Sequence, residues 1–251
     1  LMNALLGEDR VMTGPEAGIT RDAISAQYEF DGRVIRLVDT AGLRKRGRVV
    51  DPLEKMSVDD TMRAIRLAQV VVLVIDATLG IESQDMKIAN HVLDEGRVLI
   101  IALNKWDAVV DRAVTRTDVM DKLERSLGQL PHVPVVQISA ERGTNLDTLM
   151  RQVVLHYDGW LQRVPTAALN RFVGSAVSRH PPALVHGRPN NIKYMTQIKV
   201  KPPTFAVWCA YPDMMTDAYQ RYLINSLREQ FNIPPVPVRL TFRKTKNPFL
   251  D

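Results

Sequence analysis

The sequence is poor in features of secreted, disulfide-bonded and membrane proteins. Its 251 residues include one cysteine, Cys209, and five histidines without the spacing of metal ligands. The longest apolar run, residues 70–75, is too short to cross a bilayer, and no signal-peptide pattern stands at the start. We expect a cytoplasmic protein with no membrane span, in which Cys209 is a small buried residue.

Acidic residues are scarce in the last third of the chain. Residues 161–251 contain 13 Lys and Arg but 4 Asp and Glu, a net charge of +9, whereas residues 1–160 have a net charge of −4. So sharp a change indicates a change of domain, and the basic part is suited to a polyanionic partner. Solvated basic residues that merely aid solubility explain the charge alone equally well.

Residues 1–160 alternate between strand and helix patterns. A hairpin with its turn at Asp31-Gly32 is predicted, and the Gly-, Pro- and Thr-rich stretch 11–23 is predicted to be a loop. The predicted strands are 25–30, 33–38, 70–75, 98–103 and 133–138, and the predicted helices are 2–6, 57–69, 83–93, 117–127 and 145–161. This pattern predicts an α/β fold with a mostly parallel sheet, flanking helices and the hairpin at its edge.

After Pro165 the pattern changes to that of a small α+β domain. The predicted elements are helix 166–178, strands 193–200 and 205–210, helix 217–230 and strand 236–244. We therefore predict two domains, residues 1–160 and residues 161–251.

The sequence LVDTAGL, which ends with Asp39, Thr40, Ala41, Gly42 and Leu43, follows a predicted strand. Ligands of α/β sheets bind beyond the carboxyl ends of the strands. A carboxylate there can hold Mg²⁺ through water. A glycine three residues later lets its N–H approach a terminal phosphate. By itself this pattern is weak.

A stronger signal is LNKWD, which closes the predicted strand 98–103 with Asn104, Lys105, Trp106 and Asp107. An ionised carboxylate accepts two donors from one planar edge, and guanine offers such an edge through its N1–H and exocyclic amine. Adenine does not. Asn104 can bond the base N7, and the aliphatic stem of Lys105 can cover the base.

Two weaker signals complete the set. Ser139-Ala140 can bring a backbone N–H to a base carbonyl, and Thr20 in the loop GITRD can offer oxygen to a metal and a phosphate. Singly, each residue also fits a cap or a turn. Together, the order loop Thr, DxxG, NKxD, SA resembles the G domain of GTPases.

Longer stretches extend this likeness over essentially the whole chain. GITRDAI, DTAGLRKRGRV, EKMSV, VIDA, GIESQD, LNKWD and the tail RLTFRKTKNPF resemble the Der (EngA) family of ribosome-assembly GTPases, which have two G domains and a KH-like domain. The resemblance implies that residues 1–160 are the second G domain and residues 161–251 the KH-like domain. It implies GTP or GDP and Mg²⁺ as ligands, with Thr20 and Asp39 at the metal and Thr20 and Gly42 at the catalytic step.

The family's G-x-x-x-x-G-K-[ST] loop, which holds the phosphates, has no counterpart in this sequence. Residues 1–6 match the family's segment directly after that loop, and Leu1 is not an initiator methionine. We expect a fragment that lacks the first strand, this loop and the first G domain, and that binds GTP weakly or not at all.

Leu43 stands where many GTPases place a glutamine that orients water. The resemblance implies that a potassium ion assists instead. Four basic residues after it are candidates for charge stabilisation, although a solvated face or a contact with RNA or the KH-like domain suits them better: Arg44, Lys45, Arg46 and Arg48.

The KH-like part lacks the GXXG loop with which KH domains clamp nucleic acid, because the nearest sequence is GRPN at residues 187–190. Its basic residues can still meet rRNA phosphates. These are Arg171, Arg179, Arg188, Lys193, Lys199, Lys201, Arg243, Lys244 and Lys246. For Trp208 and Tyr211 we predict core packing rather than base stacking.

The function expected from the sequence is GTP binding and hydrolysis in assembly of the 50S ribosomal subunit, with nucleotide state controlling rRNA contact through the KH-like domain. The alternative is a non-catalytic RNA- or ribosome-binding module whose G-like half is a scaffold.

Overall fold

The computed structural model describes residues 1–7, 11–12, 24–39, 58–128, 130 and 132–245. At residues 11, 12, 24, 39 and 58–60 it describes the backbone alone. Seven helices and nine strands lie within these ranges. The helices are α1 Met2–Leu5, α2 Val58–Leu67, α3 Ser83–Asp94, α4 Arg112–Ser126, α5 Leu146–Trp160, α6 Thr166–Arg179 and α7 Asp217–Phe231. The strands are β1 Val11–Met12, β2 Ile24–Phe30, β3 Arg33–Asp39, β4 Val70–Asp76, β5 Val98–Asn104, β6 Val135–Gln137, β7 Ile192–Lys199, β8 Thr204–Cys209 and β9 Arg239–Lys244.

The centre of the N-terminal part is a parallel sheet of order β4-β5-β6. Residues 98–103 of β5 are all fully buried. Val98, Ile100 and Ala102 belong to one apolar cluster, and the residues between them belong to a second. Because alternate side chains of a strand point to opposite faces, both faces of the sheet are covered. The prediction of an α/β fold with a parallel sheet is confirmed.

The hairpin forms a separate antiparallel sheet of order β1-β2-β3. Asp31 and Gly32 both have positive φ, as the predicted two-residue turn requires. Two expectations were wrong. Among the described residues no ladder joins the hairpin to the parallel sheet, and Val11–Met12 is a strand rather than loop because it pairs with β2.

Some element boundaries also differ from the prediction. Helix α4 begins five residues earlier than expected, because the carboxylate of Asp111 accepts a bond from the Val114 N–H (3.0 Å) and caps it. Strand β9 begins at Arg239 rather than at 236, because Pro234, Pro235 and Pro237 cannot donate to a ladder. None of the described helices combines the length and apolar character that crossing a bilayer requires.

The C-terminal part has the predicted order α-β-β-α-β. Its sheet is β7-β8-β9, with β7 antiparallel and β9 parallel to β8. Phe205, Val207 and Cys209 of β8 are fully buried in the core, where they meet residues of α6 and α7. Burial raises the pKa of the Cys209 thiol to about 11, which leaves it an inert core residue, as predicted.

The two parts share one apolar core, in which residues of β5 and α5 cluster with residues of α6, β8 and α7. The indole N–H of Trp160 donates to the carbonyl of Gly96 (2.9 Å). Gly159 of α5 lies against Pro234, whose Cγ would be 2.1 Å from a Cβ at this position. The hairpin is tied to α5 as well, since Arg33 forms a bidentate pair with Asp158 (2.6 and 2.9 Å).

Candidate functional site

The candidate site lies at the carboxyl edge of the parallel sheet. Asp76 ends β4 and is paired in register with Asn104, which ends β5. Leu103, one residue before that end, is paired with Gln137, which ends β6. Three parallel strands thus deliver polar residues to one edge, the position where α/β sheets bind their ligands.

The two loops predicted to read a base are bonded to each other. The Oδ1 of Asn104 accepts the N–H of Ala140 (2.9 Å), and the N–H of Trp106 donates to the carbonyl of Ile138 (3.1 Å). The Ala140 N–H is thus bonded to Asn104, whereas the contact of a backbone N–H of Ser139-Ala140 with a base carbonyl stays a prediction. This bond fixes the orientation of the Asn104 amide.

Lys105 is held by an acidic partner on the neighbouring strand. Its Nζ lies 2.6 Å from Asp76 Oδ2. The backbone N–H and hydroxyl of Thr78 donate to Asp76 Oδ1 at 3.0 and 2.7 Å. The hydrogen bond from Lys105, with those from Thr78, lowers the pKa of Asp76 to about 2. Lys105 also has a left-handed backbone (φ 60°), and its ion pair with Asp76 holds the end of its side chain.

Asp107 is the acceptor that the sequence assigned to guanine. It lies in a single 3₁₀ turn at Trp106–Ala108. Its pKa is lowered, chiefly by a hydrogen bond with Ser139 and to a smaller extent by the charge of Arg142. Arg142 Nε is 3.2 Å from Asp107 Oδ2. Asp107 is therefore an ionised, acceptor-only carboxylate at neutral pH.

The loop after β6 is closed on itself. Ser139 and Thr144 exchange two backbone hydrogen bonds (3.2 and 3.0 Å). The hydroxyl of Ser139 accepts the N–H of Arg142 (3.2 Å), and the Asn145 side chain donates to the Gln137 carbonyl (2.8 Å). These hydrogen bonds within the loop hold Ser139, which is 2% exposed, beside Asp107.

The structure brings together the base-reading half of the predicted site: Asn104, Lys105, Asp107, Ser139 and Ala140. Trp106 is near them in the chain, but its side chain is partly buried against the core. The phosphate half lies outside the described residues. These are Thr20, Thr40, Ala41, Gly42 and Leu43, together with the side chain of Asp39. In the part of the chain that is described, no group of three or more His, Cys, Asp or Glu could hold a metal ion.

Sequence reasoning did not assign roles to Asp76, Thr78 and Arg142. The signal for Asp76 was available, because it ends the strand next to β5 and must share an edge with Asn104. Arg142 could not be found in this way, because its distance to Asp107 depends on the path of the loop.

Comparison with known proteins agrees with these features. A family model described as "50S ribosome-binding GTPase" matches residues 1–105. Residues 163–243 match a model described as "KH-domain-like of EngA bacterial GTPase enzymes, C-terminal". GTPase Der of Brucella melitensis biotype 2 is 50% identical over 249 residues, which are 99% of this chain and 52% of that protein. The chain belongs to the Der family.

A second Der relative, from Parvibaculum lavamentivorans, is 51% identical over 251 residues, covering 100% of this chain and 53% of the relative. The chain spans about half the length of the Der relatives it matches. Among solved structures, an Aquifex aeolicus Era variant bound to GDP.AlF4- is 18% identical, with a TM-score of 0.45. That match covers 98% of this chain and 89% of the Era chain.

Proposed function

We propose that the edge described above binds the base of a guanine nucleotide. The observation that carries this proposal is the ionised Asp107, held beside Ser139 in the only protonation state that can accept both the N1–H and the amine of guanine. Asn104 is oriented by Ala140 so that its amide can donate to the base N7. The stem of Lys105, whose end is fixed by Asp76, covers one face of the base.

We further propose that the intact protein hydrolyses GTP. The residues that would hold the phosphates and the metal are those of the sequence pattern: Thr20, Asp39, Thr40, Ala41, Gly42 and Leu43. A bound Mg²⁺ supplies positive charge that offsets charge developing on the phosphate oxygens. Thr20 would offer its oxygens and Gly42 its backbone N–H to the terminal phosphate. With leucine at position 43, a potassium ion is the proposed substitute for a water-orienting glutamine.

The proposed setting is assembly of the 50S ribosomal subunit, in the cytoplasm. It is supported by the description of the family model that matches residues 1–105 and by the net charge of +9 in residues 161–251. We propose residues 1–160 as the second G domain and residues 161–251 as the KH-like domain. GTP would reorder the Thr20 loop and the segment after Gly42, and so change how the KH-like domain meets rRNA. Equal binding of the GTP and GDP forms to 50S subunits at matched salt would contradict this switch.

A second function is favoured by one specific observation, the lack of a G-x-x-x-x-G-K-[ST] motif in the sequence. A chain without this loop lacks most phosphate contacts. On that account the chain would be a non-catalytic RNA- or ribosome-binding module with a G-like scaffold.

Fluorescent GDP and GTP binding distinguishes the two functions. The 251-residue chain is compared with a chain extended upstream in its parent gene to include a strand and a phosphate-binding loop, at matched K⁺ and Mg²⁺. We expect binding by the extended chain alone, because base contacts without phosphate contacts give little affinity. The matched control is ATP, which should not compete.

If neither chain binds either nucleotide, the G-like part is a scaffold. If ATP competes as well as GTP, the assignment of Asp107 to guanine is wrong.

A further inference from the structure

The C-terminal sheet carries a row of three large side chains across its outer face. Strand register places Tyr194 of β7 opposite Trp208 of β8, and Trp208 opposite Arg243 of β9. Tyr194 is 39% exposed, Trp208 is half-buried and Arg243 is exposed. The prediction that Trp208 packs in the core was therefore wrong. The core is built by the alternate residues of β8, which face the helices.

The row is an ordered stack. The rings of Tyr194 and Trp208 have centroids 4.4 Å apart and planes 16° apart. The guanidinium carbon of Arg243 lies 5.5 Å from the centre of the Trp208 ring, within the range of a cation–π contact. Strand β7 pairs with β8 alone among the described strands, so Tyr194 ends the row at the sheet edge. One face of its ring is covered by Trp208. Helix α6 contacts the same strand edge through Asn170, which accepts the N–H of Met195 (3.0 Å), and 39% of the Tyr194 side chain stays exposed.

Cross-strand aromatic pairs also stabilise sheets without binding anything. The charge of the three strands favours a binding role in addition to stabilisation. They contain five basic residues and no acidic residue, and the basic residues are Lys193, Lys199, Arg239, Arg243 and Lys244. Arg239 is engaged, because it donates to the Asp94 carbonyl. The other four are exposed. Register places Lys199 and Arg243 on the outer face, opposite Thr204 and Trp208, whereas Lys244 lies opposite the buried Cys209. Lys199 and Arg243 give the outer face a positive charge suited to a phosphate backbone.

The segment where a KH domain would clamp nucleic acid is built differently. Val185 and Arg188 exchange both backbone hydrogen bonds (2.8 and 2.9 Å) around His186-Gly187. The N–H groups of Val185 and Arg188 are thus bonded to each other's carbonyls in a tight turn. These two N–H groups are therefore not available to a phosphate.

We propose that the outer face of the β7-β8-β9 sheet binds single-stranded RNA. One unpaired base stacks on the exposed part of the Tyr194 ring, with Trp208 and Arg243 supporting that ring from behind. The backbone phosphates lie along the basic residues of the outer face, Lys199 and Arg243. The choice of RNA rests on the proposed ribosomal function, whereas the stacking of a base on Tyr194 rests on this geometry.

The test is binding of a fluorescein-labelled oligoadenylate of about 12 nucleotides, a length within the usual site size, to the 251-residue chain. Tyr194→Leu should weaken binding by about 5- to 100-fold, the range of one lost base–aromatic stack. Tyr194→Phe keeps the ring and should bind as the parent does. Lys199→Ala, opposite Thr204 on the outer face, should make the slope of log K against log salt shallower by about 1, the loss of one phosphate contact. Tyr194→Leu should leave that slope unchanged.

Urea unfolding of Tyr194→Leu controls for loss of the fold, and a duplex of the same length controls for charge alone. Equal binding by Tyr194→Leu and the parent would overturn the proposal, as would equal binding of duplex and single strand. Because guanine nucleotide is absent from this assay, its outcome is independent of nucleotide binding by the extended chain.

Discussion

The two sheets of this molecule place their polar residues in different ways. In the parallel sheet the central strand β5 is buried on both faces, and polar side chains occur at or just beyond the strand ends, at Asp76, Asn104 and Ser139. The C-terminal sheet packs Phe205, Val207 and Cys209 against the helices, and its other face carries the partly exposed row from Tyr194 to Arg243 beside the buried Ala206.

This difference decides which chemistry each sheet can perform. Strand ends and loops converge on a small volume, which suits recognition of one base by two or three fixed groups. An open sheet face spreads its contacts over three strands, which suits an extended polymer. The shared core around Trp160 joins the part with the proposed nucleotide site to the part with the proposed RNA surface.

The largest effect is expected from breaking the contact between the two parts. In Gly159→Ala the new Cβ would lie 2.1 and 2.4 Å from two ring carbons of Pro234. Neither the helix nor the proline ring can move freely, so we expect a loss of about 3 kcal/mol in the free energy of unfolding. Urea denaturation followed by tryptophan fluorescence measures it.

The matched control is Gly174→Ala in the middle of α6. Nothing lies within 4 Å of a Cβ at that position, and the change should raise stability by about 0.5–1 kcal/mol through helix propensity. An unchanged urea midpoint in Gly159→Ala would show that α5 and Pro234 do not pack as described.

A smaller effect is expected at the edge of the parallel sheet from Asp76→Asn, which removes the carboxylate that holds Lys105. The pKa of Asp76 is about 2 in the folded protein against 3.8 for the free group. The stabilisation of the folded protein by the ionised Asp76 is therefore complete above about pH 4, and it is lost as the pH falls towards about 2. We expect a cost of about 1 kcal/mol at about pH 7, after allowance for partial exposure.

Urea midpoints of parent and variant, measured from about pH 7 downwards, should converge below about pH 4. Asp118→Asn on the exposed surface of α4 removes a carboxylate without touching Lys105 and controls for net charge. A difference between parent and Asp76→Asn that is constant over this range would contradict the role given to the carboxylate.

The sequence predicted the parts of the fold that local patterns encode. Residues 70–75 and 98–103 are continuous apolar runs, and both are strands of the parallel sheet. The α-β-β-α-β order after Pro165 was also predicted correctly. Asn104, Asp107 and Ser139 were placed together because motif spacing and the shared edge of parallel strands leave few alternatives.

The features that the sequence could not supply depend on contacts between distant segments. Val11–Met12 is a strand because of its pairing with β2, although it lies in the Gly-, Pro- and Thr-rich stretch 11–23 that predicted a loop. The exposure of Trp208 depends on which face of β8 meets the helices, and a register shift of one residue would have reversed it. The bond between Ala140 and Asn104 joins loops 36 residues apart.

The most direct test of the central claim is the base specificity of Asp107→Asn in the extended chain, measured by competition of GDP and XDP against fluorescent GDP. An amide cannot accept both guanine donors, but its NH₂ group can donate to the carbonyl that xanthine carries in place of the amine. We predict that GDP affinity falls by about 100-fold while XDP affinity rises. Arg142→Gln, which removes the ion pair but keeps the carboxylate, should still prefer GDP. Unchanged preference for GDP in Asp107→Asn would contradict the account.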